Sequence, residues 1–166
     1  MSTHAVQKAT LDKFIDAWAR WHPDDFIGLW SDDFVFTTLP FSAGKPSRGR
    51  DKVEPRFRML MRTLTNYRAL PRAENKVLAL IIPQLNVKYI VHDPHNRKAC
   101  IYAVVRADAP CGAYVNEQAL FLAFDESGEK VVRIEEMNDS AFRKEWDLKY
   151  YALHGIGVPP RGEASG

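Results

Sequence analysis

The sequence has few of the residues and motifs that mark metal-binding and cofactor-binding proteins. It contains two cysteines in 166 residues, Cys100 and Cys111, too few for a disulfide scaffold or a cysteine-based zinc site. It has no Gly-rich phosphate-binding loop, no Gly-x-Ser-x-Gly elbow and no His-Glu-x-x-His motif. Its longest apolar run, residues 77–82, stops at Pro83, far short of the ~20 residues of a membrane span.

Charge of one sign is not in excess either. The 23 basic and 21 acidic residues are scattered along the chain and give a net charge of +2, whereas a nucleic-acid or membrane-surface partner requires clustered Lys and Arg. The N-terminus has no apolar centre of a secretory signal. Because the sequence has so few cysteines, we expect a cytoplasmic protein. Because its charges are scattered, we expect that it binds neither nucleic acid nor membrane.

Hydrophobic periodicity changes along the chain from helical to alternating and back. We predict helices over residues 8–21, 23–30, 51–64 and from residue 140 to 153, and strands over residues 34–39, 87–92, 98–107, 114–124 and 130–137. Residues 73–82 fit either a short buried helix or a strand. Turn residues separate the later strands, which predicts antiparallel hairpins.

This order of elements predicts an α+β fold. Three N-terminal helices must cover one face of a curved antiparallel sheet, and a C-terminal helix follows the last strand. Strong curvature of such a sheet leaves a cone-shaped cavity between sheet and helices, open at one end. The nine Phe, six Tyr and four Trp residues are enough to build both a core and a pocket. We predict a single domain over residues 1–154 and a flexible tail over 155–166.

The predicted strand 114–124 begins polar and ends as plain core, as expected of a strand with one end at a polar cavity. Alternation puts Tyr114, Asn116 and Gln118 on one face and Glu117 on the other. Either face would supply hydrogen-bonding or proton-transfer groups, so we keep all four as candidates, and Phe121 as an apolar substrate contact. A solvent-facing or ion-paired Glu117 is the alternative.

A second polar cluster ends the last predicted strand. Glu135 and Glu136 are adjacent, so their side chains point in opposite directions and one of them can lie in the pocket. A carboxyl group held in an apolar pocket has a raised pKa and can act as an acid or a base near neutral pH. Asp139, which follows, is predicted to cap the last helix.

Other polar residues have a less specific pattern. Arg48 could bind a substrate carbonyl or carboxylate or orient a buried Glu, although a surface role fits equally well, and Arg50 is interpreted as an ion pair at the start of the third helix. His92 and His95 flank an Asp-Pro turn; two imidazoles fall short of a catalytic zinc site, so we interpret the segment as a solvated turn. Cys111 is interpreted as inert.

Three segments carry a resemblance to a known family. They are Ser47-Arg48-Gly49-Arg50-Asp51, the stretch from Ala107-Asp108-Ala109-Pro110 to Asn116-Glu117, and Arg133-Ile134-Glu135-Glu136-Met137-Asn138-Asp139-Ser140-Ala141-Phe142. The chain resembles the SnoaL-like members of the NTF2-like superfamily, in particular the fungal branch found in secondary-metabolite pathways. The resemblance implies a curved-sheet cone, commonly a homodimer, and acid–base chemistry without a metal or an organic cofactor.

The resemblance also implies roles for single residues. In semipinacol-type relatives an Arg, two Tyr and a Glu line the pocket. Tyr114 matches the first tyrosine, Gln118 stands where the second is expected and cannot donate a phenolic proton, and the Glu falls at Glu136 or, one residue away, Glu135. Arg48 is the candidate for the Arg. The His pair of the related dehydratases has no clear counterpart.

From these features we predict an isomerase or cyclase acting on a natural-product intermediate such as a polyketide, meroterpenoid or indole alkaloid. Glu135 or Glu136 would transfer protons and Tyr114 would polarise a carbonyl. Two alternatives stay open: a non-catalytic binding or dimerisation module, and a dehydratase or hydrolase that uses the same pocket.

Overall fold

The computed structural model describes residues 3–65 and 85–157, without the side chains of residues 85 and 86. The ambiguous segment 73–82 lies outside the described residues, and so do residues 158–166 of the predicted tail. The described residues form four α-helices, which are α1 (Thr3–Arg20), α2 (Pro23–Ile27), α3 (Arg50–Thr63) and α4 (Ser140–Leu153). They also form six strands, which are β1 (Trp30–Leu39), β2 (Arg48–Gly49), β3 (Leu85–Asp93), β4 (Lys98–Ala107), β5 (Tyr114–Phe124) and β6 (Val131–Asn138).

The helices begin where local sequence favours them. Pro23 occupies the first turn of α2, where its missing N–H costs little. The side chain of Asp139 accepts hydrogen bonds from the backbone N–H groups of Ala141 and Phe142, which confirms the predicted cap of α4. One boundary prediction was wrong: α2 ends at Ile27 and β1 already begins at Trp30, because Trp30 and Phe34 stack within the core.

The strands form one curved sheet in the order β2-β1-β6-β5-β4-β3. The predicted bounds of β4 and β5 match the structure, and the β3-β4-β5-β6 meander is antiparallel throughout. The pairing of β1 with β6 is parallel, so the sheet is mixed rather than wholly antiparallel. No hairpin joins these two strands; the chain passes through α3 and the whole meander before it returns beside β1. The α+β cone predicted from the sequence is otherwise confirmed.

The apolar core fills the cone on the side of α1 and α2. Phe14, Phe26, Trp30 and Phe34 are each at most 2% exposed, and the rings of Trp30 and Phe34 stack with centroids 4.1 Å apart. Burial alternates along β4 and β5, so that one sheet face looks into the cone and the other faces outward. Toward α4 the cone is not filled, and a cavity remains there. None of the helices in the described ranges is long and apolar enough to cross a membrane.

Candidate active site

The cavity lies between the concave sheet face, α3 and α4. Its volume is about 1070 Å³, enough to enclose a molecule of several rings. Most of the wall is apolar, with polar side chains grouped along β5, β6 and α4. The apolar lining includes Trp18, Phe26, Phe36, Leu60, Leu120, Ile134 and Trp146.

A row of hydrogen-bonded side chains follows the inner face of β5. The Nδ2 atom of Asn116 donates to the hydroxyl of Tyr114 and to Oε1 of Gln118, at 3.0 Å each. Tyr114 and Gln118 line the cavity, as predicted, whereas Asn116 is fully buried between them and does not. The structure therefore places Asn116 behind the two residues that line the cavity, which its amide holds in position, rather than in the cavity wall as we expected.

The hydroxyl of Tyr114 has a defined orientation. Its oxygen accepts a second hydrogen bond from Nη1 of Arg143, at 3.0 Å. A phenol oxygen has two acceptor positions and one hydrogen to donate, so these two donors leave the hydroxyl hydrogen for a group in the cavity. Burial raises the pKa of Tyr114, partly opposed by the charge of Arg143. The phenol therefore stays protonated at neutral pH and can act as a hydrogen-bond donor.

Of the two adjacent glutamates, Glu136 lies in the cavity. Its Oε2 accepts a hydrogen bond from Nδ2 of Asn138, at 3.1 Å. Burial raises its pKa above the ordinary value, and the positive charge of Arg143 opposes that shift. Glu135 points to the outer face of the sheet. Its backbone pairs in register with Phe121 of β5, and its Oε1 lies 3.8 Å from Nη1 of Arg133. Strand alternation thus resolves the choice that the sequence left open.

Two other candidates lie on the wrong face of β5 for a role in the cavity. Glu117 is exposed and accepts a hydrogen bond from the hydroxyl of Tyr102 on β4, and Phe121 is 40% exposed on the same outer face. Neither lines the cavity. Both predictions are corrected for one reason: odd-numbered residues of β5 point away from the residues that face inward with Tyr114.

The two arginines before α3 have different environments. Arg48 on β2 pairs in register with Phe36 and lines the cavity beside it. Burial lowers its pKa. Arg50 donates to the backbone carbonyls of Trp30 and Ser31 and lies 3.4 Å from Glu54, which confirms its predicted structural role.

The histidines of the Asp-Pro turn do not form a metal site. His92 and His95 flank a turn, and no group of three or more His, Cys, Asp or Glu side chains that could hold a metal ion occurs within residues 3–65 and 85–157. Cys100 and Cys111 are both free.

Comparison with curated proteins identifies the family. The chain is 58% identical to an ergochrome gene cluster protein of Claviceps purpurea over 160 residues, which is 96% of this chain and 94% of that protein. It is 49% identical to monooxygenase AacuP of Aspergillus aculeatus over 140 residues, 84% of this chain and 86% of that protein. The chain belongs to this family of fungal gene-cluster proteins. No protein-family profile matches it.

Solved structures share the fold of the family at low sequence identity. The BvnE pinacolase of Penicillium brevicompactum superposes with a TM-score of 0.71 at 19% identity and covers 91% of this chain and 94% of its own. PrhC of Penicillium brasilianum gives 0.68 at 16%, covering 92% and 93%. The SnoaL-like, NTF2-like cone inferred from sequence motifs is thereby confirmed as the fold.

In this family member, α4 supplies two charged residues that sequence reasoning missed. Nη2 of Arg143 lies 2.8 Å from Asp147, and Oδ2 of Asp147 lies 3.2 Å from Nζ of Lys45. Burial disfavours the charged guanidinium, but Tyr114, Asp147 and Glu136 outweigh that effect and raise the pKa of Arg143. Helical spacing was the available sequence signal for these two residues. Arg143 follows Phe142 and Asp147 follows Trp146, so both charged residues lie next to apolar residues of the same helix.

Tyr114, Glu136 and Arg143 form a small cluster of groups that are capable of acid–base chemistry. The Tyr114 hydroxyl can donate to a carbonyl oxygen, and the cation beside it can stabilise negative charge that develops there. A carboxyl group with a raised pKa can take up or release a proton near neutral pH. All three side chains lie at one polar region of a mostly apolar cavity, so their interactions are little screened by water.

Proposed function

We propose that the chain is an isomerase or cyclase of fungal secondary metabolism. It acts on a largely apolar natural-product intermediate through acid–base chemistry of its own side chains. The observation that carries the proposal is the Tyr114 hydroxyl, which accepts from both Asn116 and Arg143 in a cavity that also contains Glu136. The names of the curated relatives support a role in a biosynthetic gene cluster.

In the proposed reaction a substrate carbonyl accepts a hydrogen bond from Tyr114. Ionised Glu136 removes a proton from a neighbouring carbon or hydroxyl, and Arg143 stabilises the negative charge that moves onto the carbonyl oxygen. The enolate or alkoxide then attacks a second electrophilic atom of the same molecule, and Glu136 returns the proton. One σ bond forms as a π bond of the electrophilic group breaks, and the atom that receives that electron pair takes the proton from Glu136, so the molecular formula is unchanged. The cavity wall lowers the entropic cost by holding the substrate in a folded conformation.

The monooxygenase names of several relatives favour one alternative. The same proton removal would give a carbanion that reacts with molecular oxygen. At a CH₂ group both C–H bonds would break, one oxygen atom would enter the product as a carbonyl, and the other would leave as water. This reaction uses the same three side chains and differs in its need for O₂.

The product formula tests the proposal. The intermediate that accumulates when the gene is deleted in its host is incubated with the purified protein, in air and under nitrogen, and the product is analysed by high-resolution mass spectrometry. We expect an unchanged formula and equal rates in both atmospheres. Gain of an oxygen atom that requires air would identify a monooxygenase, and loss or gain of water a dehydratase or hydrolase. Tight binding without conversion would identify a binding module.

We also propose that the chain forms the homodimer that the family resemblance implies, and that the two copies pair through the outer sheet face. This face carries five exposed apolar side chains from three strands, at Tyr89, Val91, Val115, Phe121 and Met137. Burying them in a dimer would remove this apolar surface from water. A cytoplasmic location and the absence of a nucleic-acid partner stay predictions.

A further inference from the structure

Two arginines of the cavity wall form no direct ion pair with any of the described residues. Arg48 on β2 and Arg56 on α3 both line the cavity, and no hydrogen bond or ion pair joins either side chain to another side chain within residues 3–65 and 87–157. Arg58 of α3 differs, because its guanidinium lies 2.7 Å from Asp24 and 2.9 Å from Glu54.

The position of Arg48 makes the lack of an ion pair costly, whereas Arg56 is exposed at the rim of the cavity. Arg48 is half-buried, and both burial and the like charge of Arg56 lower its pKa. The carboxylate whose charge reaches Arg48 is Asp147, and Asp147 is already paired with Lys45 and Arg143. A half-buried guanidinium with a second cation nearby and no carboxylate paired to it is unfavourable in the empty protein. An anion bound between Arg48 and Arg56 would offset that cost.

The cavity wall as a whole has a positive balance. Its described lining carries five basic side chains and two acidic ones, which are Lys45, Arg48, Arg56, Arg143 and Lys144 against Glu136 and Asp147. The whole chain has a net charge of only +2. Positive charge is thus concentrated in the cavity, although the rest of its wall is mostly apolar.

We propose that Arg48 and Arg56 form an anion subsite that binds a carboxylate of the substrate, so that the substrate is a largely apolar carboxylic acid. The planar guanidinium groups suit the two oxygens of a carboxylate. The identification of the ligand as a substrate rests on the proposed function. The subsite itself is tested by binding alone.

The subsite is separate from the reacting groups. Arg48 and Ile134 both pair with Phe36, and Ile134 precedes Glu136 by two positions on β6. The backbone of Arg48 is therefore two strands away from that of β6, which is about 10 Å across the sheet at the usual strand spacing. A carboxylate held there anchors one end of a multi-ring molecule while the other end reaches Glu136 and Tyr114.

Binding of matched probes tests the subsite without turnover. Anthracene-9-carboxylate and its methyl ester are titrated by fluorescence into the wild type, Arg48→Gln, Arg56→Gln and the double variant. Lys52→Gln is the matched control, because Lys52 lies on α3, is exposed and pairs with Asp51 outside the cavity. We expect the wild type and the control to bind the acid at least about tenfold more tightly than the ester. Each single variant should lose part of this preference and the double variant nearly all of it.

Equal affinity for acid and ester in the wild type would overturn the proposal, and so would a preference that survives in the double variant. Binding of neither probe would contradict it as well. Circular dichroism and thermal melting verify that each variant is folded. Failure of the proposed function is distinguishable from failure of the subsite. If the product is not an isomer of the substrate, the protein still binds the acid more tightly than the ester. If the subsite does not exist, that preference is absent but turnover still depends on Glu136.

Discussion

The adjacent pair Glu135 and Glu136 gives the sharpest test of the site. Both are glutamates on β6, yet Glu136 lines the cavity and Glu135 is on the outer face. Replacing either by Gln removes one carboxylate with almost no change in shape. The two variants therefore share the change in composition, strand and charge, and differ only in the face from which the carboxylate is lost.

We expect Glu136→Gln to lower kcat by about 10²–10⁴-fold, the usual contribution of a general acid–base group. This factor corresponds to about 3–5 kcal/mol of transition-state stabilisation. Glu135→Gln should stay within about twofold of wild type, as surface substitutions generally do. Because the carbonyl oxygen of the introduced amide can still accept the hydrogen bond from Asn138, KM should change much less than kcat in Glu136→Gln.

The pKa of Glu136 adds two pH signatures. Burial raises this pKa above 4.5, so the limb of the rate profile that belongs to Glu136 should lie above about pH 4.5 and disappear in Glu136→Gln. The folded protein also holds this proton to higher pH than the unfolded chain does. The contribution of Glu136 to the free energy of unfolding therefore falls as pH rises from 4.5 through the folded-state pKa.

Urea denaturation of the wild type and Glu136→Gln at about pH 4 and about pH 8 measures that contribution. We expect the variant to gain stability relative to the wild type at the higher pH, while Glu135→Gln shows no such gain. Steady-state rates on the isolated intermediate give the kinetic half of the test. Near wild-type turnover in Glu136→Gln, or an equal loss in both variants, would refute the assignment of Glu136 as the proton-transfer group.

Two further substitutions test the rest of the site and the outer face. Tyr114→Phe should lower kcat by about 10²–10³-fold, because the substrate carbonyl loses its hydrogen-bond donor. It should also cost about 1–3 kcal/mol of stability, since Asn116 and Arg143 lose their acceptor. Tyr102→Phe, on the outer face, is the control, and equal rates in both variants would contradict the role of Tyr114. Phe121→Asp should convert a dimer into a monomer in light scattering while the rate per chain stays within about twofold of wild type, and a monomeric wild type would contradict the proposed pairing.

Much of the fold follows from local sequence. The alternation in β4 and β5 and the Asp139 cap of α4 are encoded within a few residues, and each matches the structure. The parallel pairing of β1 with β6 is different. It joins segments about a hundred residues apart in the chain, and nothing in either segment distinguishes a parallel from an antiparallel neighbour.

The candidate site was predictable only in part, for a similar reason. Local alternation shows that Glu135 and Glu136 point apart, but the inward one is decided by the register of β6 against β5. Alternation likewise separates Tyr114 and Gln118 from Glu117 and Phe121, but the packing of the sheet decides that the first pair faces the cavity. Arg143 was not predicted because charged residues of a terminal helix are ordinarily solvent-facing. Its helical spacing was a weak signal, and the contact with Tyr114 is what assigns it to the site.

The alternation along β5 has a consequence for how such proteins can diversify. Even-numbered positions from 114 to 120 belong to the cavity side and odd-numbered positions from 115 to 121 to the outer face. One short stretch of gene therefore encodes two nearly independent surfaces. Single substitutions can change the outer surface without altering the cavity wall, or the reverse. A one-residue insertion in this stretch would exchange the two surfaces and lose both at once.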